Sequence, residues 1–143
     1  MIKKILLTVL GLVVGLLALQ MIASESGEVV VLSSMGESGP EETRLWVVEY
    51  EGYQYLRAGA PESGWFSRIR NNGRVGLDRD GVRAAYDAIP QVEVRDQVND
   101  LMRQKYGWAD QFIALLFGRD DATPIRLELY REAYELPEAA TSE

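Results

Sequence analysis

The chain has 143 residues, of which 47% are hydrophobic and 26% charged, and it contains no cysteine and no histidine. This length suits one domain of ordinary size. The missing residue types exclude disulfides, thiolate nucleophiles, iron–sulfur clusters, the usual zinc sites and hydrolysis by Ser-His-Asp or Cys-His groups. Any chemistry therefore depends on carboxylates, tyrosines, arginines, backbone groups or a bound organic cofactor.

Charge is distributed unevenly along the chain. Residues 24–143 carry 13 Lys or Arg and 22 Asp or Glu, a net charge of −9. This acidic surface repels phosphate backbones, so nucleic acid is not a predicted partner. The acids of the predicted loops lack the spacing of a calcium site, so no metal site is predicted. These acids are Asp78, Asp80, Asp120 and Asp121.

An uncharged apolar run from Ile5 to Ala23 follows Lys3 and Lys4. A helix over this run is about 28 Å long, which matches the hydrocarbon thickness of a bilayer. Residues 1–24 are therefore predicted to be a membrane anchor, with a cleaved secretory signal as the alternative. Because the lysines stay in the cytoplasm, the anchor would cross the inner (cytoplasmic) membrane once and leave the C-terminal domain on the periplasmic or extracellular side. Cleavage would instead release a secreted or periplasmic domain.

Short apolar and alternating stretches after residue 27 predict six β-strands. They cover residues 28–33, 43–50, 53–57, 74–78, 82–89 and 125–130. Residues 34–40 are rich in turn-forming residues and are predicted to be a loop. Connections that end in Gly52 and Gly81 predict tight hairpins.

Helices are predicted between these strands. Residues 65–73 predict a short helix, with Ser63 at its N-cap and Gly73 at its end. A helical apolar period begins near Gln91, and Gly107 separates it from a more apolar helix over residues 108–117. The domain over residues 28–134 is thus predicted to be mainly β (an α+β fold), a six-stranded antiparallel β-barrel with short helices. Residues 135–143 are predicted to be a flexible acidic tail.

Several stretches of the domain are similar to parts of one known family. Leu32–Gly39 matches its opening strand and the turn-rich loop that typically reads Gly-Arg-Lys-Ser-Gly. Trp65–Val75 aligns without a gap with its short helix, Trp-Tyr-x-Asn-Leu-x-x-Asn-Pro-x-Val. Lys105–Trp108 and Thr123–Leu129 resemble its late Tyr-Pro-Gly-Tyr-like element and its Pro-led closing strand. On these motifs the domain resembles the deazaflavin-dependent nitroreductase/quinone reductase-like family of flavin-binding split β-barrels.

The resemblance implies a homodimer that binds FMN or a deazaflavin and reduces a small organic acceptor such as a quinone. Arg57 would neutralise an anion, Ala58 and Gly59 would allow close approach to the flavin ring, and Ser63 would bind an anion at a helix N-terminus. Trp65 is either a ring contact or a core or dimer contact. No catalytic residue is implied. The implied cofactor-binding residues are Ser38, Gly39, Arg44, Arg57, Ala58, Gly59, Ser63, Trp65 and Arg68.

The loop that holds the cofactor phosphate in this family departs from the family pattern here. It carries Glu37, Glu41 and Glu42 in place of basic residues. Repulsion of about 1 kcal/mol per carboxylate disfavours a polyanionic deazaflavin, unless Arg44, Arg57 or Arg68 supplies the missing charge. The alternative is therefore a non-catalytic envelope interaction or ligand-binding module that has lost its cofactor site.

Large aromatic side chains favour the homodimer, namely Trp46, Trp65, Phe66 and Trp108.

Overall fold

The structure, a computed structural model, describes residues 1–24 and 27–131, and for residues 23 and 24 it describes the backbone alone. Seven strands and four α-helices lie in these ranges. The helices are α1 (Ile2–Ser24), α2 (Gly64–Asn71), α3 (Arg95–Tyr106) and α4 (Trp108–Phe117). The strands are β1 (Val29–Gly36), β2 (Gly39–Trp46), β3 (Val48–Tyr50), β4 (Tyr53–Ala58), β5 (Arg74–Arg79), β6 (Val82–Pro90) and β7 (Thr123–Leu129).

The strands form one antiparallel sheet in the order β2-β1-β5-β6-β7-β4-β3. The sheet curls into a half-barrel, so that β2 comes into contact with β4, although no ladder joins these two described strands. We call this unpaired boundary between β2 and β4 the seam. Side chains of α3 and α4 line a cavity beside it.

The number of strands differs from the prediction because the strand predicted over residues 43–50 divides at Val47. Residues before Val47 pair with β1, whereas residues after it pair with β4. The backbone N–H of Val47 donates to the hydroxyl of Tyr106 at 3.0 Å, so this residue leaves the sheet ladder. One predicted strand therefore becomes two, β2 and β3, on either side of the seam.

The predicted loop over residues 34–40 is also wrong. Pairing of β1 with β2 continues to Gly36 and Gly39, which leaves a two-residue turn at Glu37 and Ser38. Gly39 has a φ of 123°, a backbone conformation that favours glycine. By resemblance to the family these residues correspond to a phosphate-binding loop, but in this structure they form the tip of a tight hairpin.

The other predicted turns and helices agree closely with the structure. The hairpins at residues 51–52 and 80–81 each place two successive residues at positive φ, as tight β-hairpins require. Gly107, with a φ of 56°, separates α3 from α4 as predicted. Ser63 precedes α2, but its side chain makes no capping hydrogen bond, and the helix ends at Asn71, with Asn72 rather than Gly73 as its C-cap.

The main core lies between the sheet and α2. Along β1 buried and partly buried residues alternate, because successive side chains of a strand point to opposite faces. Trp65 and Phe66 from α2 are both buried in this core. A second cluster lies beneath α3, where the ring of Trp46 stacks on Tyr106 with centroids 4.3 Å apart. Of the four aromatic residues that favour a homodimer, Trp108 is the one that remains largely exposed, at 54%.

Helix α1 is long and apolar enough to span a membrane, and residues 2–22 are not buried against the rest of the protein. A signal sequence has the same properties, so both alternatives for the N-terminal segment remain. The helix contacts α4. The predicted tail over residues 135–143 lies outside the described residues.

Candidate functional site

Two neighbouring cavities lie at the seam and share Arg57, Gly59 and Ile113. We call them together the seam cleft. Their volumes are about 190 and 300 Å³. The first is lined by Arg44, Leu45, Trp46, Arg57, Gly59, Met102 and Ile113. The second is lined by Arg57, Gly59, Ala60, Ser63, Ile113, Ala114, Phe117, Gly118 and Ala122.

The end of β4 places Arg57 and Ala58 on opposite sides of the sheet, as strand geometry requires. Arg57 lines the seam cleft, whereas Ala58 is buried in the main core. Gly59 follows at the point where the strand ends, and no described atom lies within 4 Å of where its Cβ would be. Open space is therefore present beside Gly59, where the resemblance implies close approach of a flat ring.

The Arg57 guanidinium is held by groups that were not predicted from the sequence. Its Nη2 donates to Asp110 Oδ1 at 2.6 Å, and its Nη1 donates to Asn99 Oδ1 at 3.2 Å. Asp110 is fully buried and also accepts a hydrogen bond from Arg119. Two cations thus surround one carboxylate, and the group carries one surplus positive charge. An acid in the first turn of the apolar helix α4 was a signal of this pairing, because a buried acid needs a partner.

Arg68, the second candidate cation, is held on α2. Its Nε donates to Ser34 Oγ at 2.8 Å, and its Nη2 donates to Thr43 Oγ1 at 3.2 Å. Its Nη1 lies 2.7 Å from Glu41 Oε2, in an ion pair whose carboxylate side chain is 54% exposed. One of the unexpected acids of the phosphate loop therefore neutralises one of the candidate arginines.

The remaining candidates are distributed over three places. Arg44 and Ser63 line the seam cleft together with Arg57 and Gly59. Trp65 lies in the main core. Ser38 and Gly39 lie at the β1–β2 hairpin tip, and the five residue steps from Gly39 to Arg44 along β2 span about 17 Å. The structure thus brings together four candidates at the seam and separates the hairpin tip from them.

A further cavity of about 630 Å³, not anticipated from the sequence, lies between two hairpins. Within it, Arg79 donates to Gln54 Oε1 at 3.0 Å, and Gln54 Nε2 donates to the hydroxyl of Tyr86 at 3.0 Å. Arg79 also pairs with Glu49. The polar side chains that line this cavity therefore make most of their hydrogen bonds and ion pairs with one another. The lining residues are Glu49, Tyr50, Glu51, Gly52, Tyr53, Gln54, Leu77, Arg79, Val82 and Tyr86.

Glu28, just before β1, is held by cations from two elements. Arg79 on β5 donates to its two carboxylate oxygens at 2.8 and 2.9 Å, and Lys105 on α3 donates to Oε1 at 2.6 Å. The hydrogen bonds from Arg79 and then from Lys105 lower the pKa of Glu28 from its ordinary 4.5 to about 2. This carboxylate therefore joins the start of β1 to β5 and α3.

Stability is expected to depend on the ionisation of Glu28. Because its pKa is lower in the folded state, its contribution is present above pH 4.5 and is lost as the pH falls from about 5 to about 2. Glu28→Gln should cost about 1–2 kcal/mol at neutral pH, and this difference from wild type should close in acid. Urea unfolding in mild detergent at pH 7 and pH 3 measures it. If the stability difference between wild type and Glu28→Gln were the same at both pH values, it would not arise from the ionisation of Glu28.

The hydroxyl of Tyr106 connects α3 to two other backbone segments. It accepts the N–H of Val47 and lies 2.7 Å from the carbonyl oxygen of Glu28, to which it can donate. Burial is the largest cause that raises the pKa of Tyr106 to about 12. The hydroxyl therefore stays protonated at neutral pH and available as a donor.

Tyr106→Phe should destabilise the protein by about 1–3 kcal/mol, because the buried N–H of Val47 loses its acceptor. Urea unfolding followed by tryptophan fluorescence would measure the change. Tyr53→Phe is the matched control, since Tyr53 is 41% exposed and its substitution should change stability by less than about 0.5 kcal/mol. Equal effects of the two substitutions would show that the Tyr106 hydroxyl does not hold Val47.

No protein-family model matches the sequence, and no curated protein matches it. Solved structures are similar at low sequence identity. A protein of unknown function from Agrobacterium tumefaciens gives a TM-score of 0.58 at 15% identity. The match covers 75% of this chain and 50% of that protein, so this chain spans about half the length of that relative. HutZ, the heme storage protein of Vibrio cholerae, gives 0.56 at 14% identity, covering 80% of this chain and 89% of HutZ. An F420-H2 dependent reductase gives 0.55 at 18% identity, covering 69% of this chain and 93% of the reductase.

The chain has the split-barrel fold. The resemblance drawn from the sequence motifs is thus confirmed for the fold, while membership of the deazaflavin-dependent family stays a prediction. Split barrels of this group include a reductase, a heme storage protein and a protein of unknown function. The fold alone therefore does not indicate a function, and the function of this chain has to be inferred from the residues of its own seam cleft.

Proposed function

We propose that this chain is a membrane-attached split-barrel protein that binds a flavin-type cofactor in the seam cleft and reduces a small organic acceptor such as a quinone. The observation that carries the proposal is the seam cleft, which combines an apolar wall with a fixed cation. The fold supports it, because a reductase that depends on F420-H2, a deazaflavin, is similar in structure. We propose FMN or a deazaflavin as the cofactor.

The described residues fit the ring of a flavin. Leu45, Trp46, Met102 and Ile113 give one side of the cleft an apolar wall, and Gly59 leaves space for a flat group. Ligand sites of small molecules are typically apolar with a few fixed polar groups. The residues also fit one anionic group, because the cluster of Arg57, Asp110 and Arg119 has a single surplus positive charge.

The roles of the protein residues follow from these contacts. A bound flavin-type cofactor would supply the hydride chemistry. Arg57, fixed by Asp110 and Asn99, would present a positive charge that does not need to reorganise. The apolar side chains of α3 and α4 would exclude water from the cleft, which strengthens any ionic contact inside it.

Attachment and assembly complete the proposal. Helix α1 would hold the chain in the inner membrane with the domain on the periplasmic or extracellular side, where a lipid-soluble quinone is accessible.

We also propose a homodimer, in which a second copy completes the seam cleft. Light scattering in detergent at tens of micromolar should report two copies per particle, and a monomer would contradict this part.

A second function is favoured by the paired arginines. Arg57 and Arg68 already bind carboxylates of the same chain, Asp110 and Glu41. A chain with these pairs can also be a non-catalytic envelope interaction or ligand-binding module that no longer holds a cofactor. The two functions differ in whether the protein binds a flavin.

Titration of the full chain in mild detergent with FMN, FAD and a deazaflavin, followed by fluorescence, tests the proposal. Wild type should bind at least one of them, and Gly59→Leu should abolish binding because its side chain fills the open space beside the cleft. Gln97→Leu, on the exposed surface of α3, is the matched control and should bind as wild type does. Failure of wild type to bind any of the three would favour the non-catalytic module.

A further inference from the structure

Helix α4 has two faces of different character. Ala109 and Asp110 are buried, and Asp110 is neutralised inside the protein by the two arginines. The opposite surface exposes the large apolar side chains of Trp108 (54% exposed) and Leu115 (83%), with Leu116 (36%) at its edge, whereas Phe117 lines the seam cleft. The helix contains no lysine or arginine. Its outer surface is therefore mainly apolar, and apolar patches on a domain surface mark contact sites.

Other large apolar side chains exposed on the described part of the domain are scattered. They lie on separate elements and are Met35, Tyr53, Val82, Val92 and Leu129. Single exposed apolar residues of this kind are normal on protein surfaces. The concentration of Trp108, Leu115 and Leu116 on one side of α4 is thus specific to this helix.

Helix α4 lies directly beside the N-terminal apolar helix. The structure places α1 and α4 in contact. Four residues separate the end of α1 at Ser24 from the start of β1 at Val29, and they can span at most about 18 Å. If α1 crosses a bilayer, the domain must sit at the membrane surface, and the element next to the crossing point is α4.

We infer that the outer face of α4 lies in the interfacial layer of the bilayer, so that the domain rests on the lipid through Trp108 and Leu115. This inference rests on the membrane attachment contained in the proposed function. The apolar side chains fit the boundary between headgroups and acyl chains, and Trp is favoured at that depth. Because α4 lacks basic residues and the domain is acidic, a zwitterionic lipid such as phosphatidylcholine suffices as the partner.

The absence of native cysteine allows a direct test with single cysteines in the full chain. Trp108→Cys and Leu115→Cys report on the outer face of α4, while Val82→Cys and Val92→Cys are matched controls at exposed apolar positions on other elements. Each variant is spin-labelled and reconstituted in phosphatidylcholine vesicles. Collision with dissolved oxygen should dominate at positions 108 and 115, as in lipid, whereas collision with a water-soluble nickel chelate should dominate at positions 82 and 92.

Two results would overturn the inference. Dominant nickel collision at positions 108 and 115 would place the outer face of α4 in water, and dipolar broadening between labels at position 115 would place a second copy against this face. A label at Leu12→Cys separates these failures from failure of the membrane attachment. Oxygen collision at position 12 with nickel collision at position 115 rejects the α4 contact alone, whereas nickel collision at both rejects the anchor as well. Flavin titration reports independently on the cofactor part of the proposed function.

Discussion

Asp110→Ala is expected to lower the free energy of unfolding by about 3–5 kcal/mol, which is the cost of removing one partner from a buried ion pair. The Asp110 side chain is fully buried, and the side chains of Arg57 and Arg119 are 10% and 20% exposed. Without the carboxylate, two positive charges face each other with little solvent to screen them. Urea unfolding in mild detergent, followed by tryptophan fluorescence, measures the loss.

Two variants control this prediction. Asp87→Ala removes an exposed ion pair with Arg74 and should cost at most about 1 kcal/mol. Asp110→Asn keeps the size of the side chain but not its charge, so it should remain clearly less stable than wild type. If Asp110→Asn and Asp87→Ala had equal effects, the arginines of the cluster would not depend on the carboxylate.

Arg68→Ala is expected to weaken binding of FMN by about 10- to 150-fold, the equivalent of the 1.5–3 kcal/mol of a hydrogen bond to a charged group. Arg68 lies at the edge of the seam cleft, because its Nη1 is 3.3 Å from where a Cβ on Gly64 would be, and Gly64 follows Ser63 of the cleft. It is the cation that can exchange its partner, because Glu41 is 54% exposed and a ligand phosphate can replace it. Arg57 is bound to fully buried Asp110, so Arg57→Ala would report mainly on folding. By the same argument, Glu41→Gln should tighten FMN binding by about fivefold, since it removes a repulsion of about 1 kcal/mol.

Fluorescence titration of these variants with FMN and with riboflavin separates the phosphate from the ring. Riboflavin has no phosphate, so its affinity should be the same for wild type, Arg68→Ala and Glu41→Gln. Arg83→Ala is the protein control, because Arg83 is a surface arginine that also pairs with a carboxylate, Asp78. Equal weakening of FMN and riboflavin by Arg68→Ala would mean that Arg68 acts on the fold rather than on the phosphate.

The parts of the fold that could be predicted are those that short sequences determine. The hairpins ending at Gly52 and Gly81 depend on residues that accept positive φ, and the α3–α4 pair depends on apolar spacing and on Gly107. The division of one predicted strand at Val47 could not be seen, because it depends on Tyr106, which lies 59 residues away in the sequence.

In the candidate site, too, features set by residues close in sequence could be predicted, whereas contacts between residues far apart in sequence could not. Arg57 and Gly59 lie two residues apart at a strand end, so their common position at the seam cleft was accessible from the sequence. The partners of the two arginines were not, since Asp110 lies 53 residues from Arg57, and Glu41 reaches Arg68 only because β2 folds beside α2. Charge counting identified Glu41 as unusual but could not say which cation it neutralises.

The contacts around Glu28 also have a mechanical consequence. Tension applied through the N-terminal helix would enter the domain at Glu28, ahead of the first hydrogen bond of β1. There the carboxylate is held by Arg79 and Lys105, and the carbonyl oxygen by the Tyr106 hydroxyl. These bonds would carry the load in parallel rather than breaking one after another, so a pulling force would meet resistance before β1 begins to peel from the sheet.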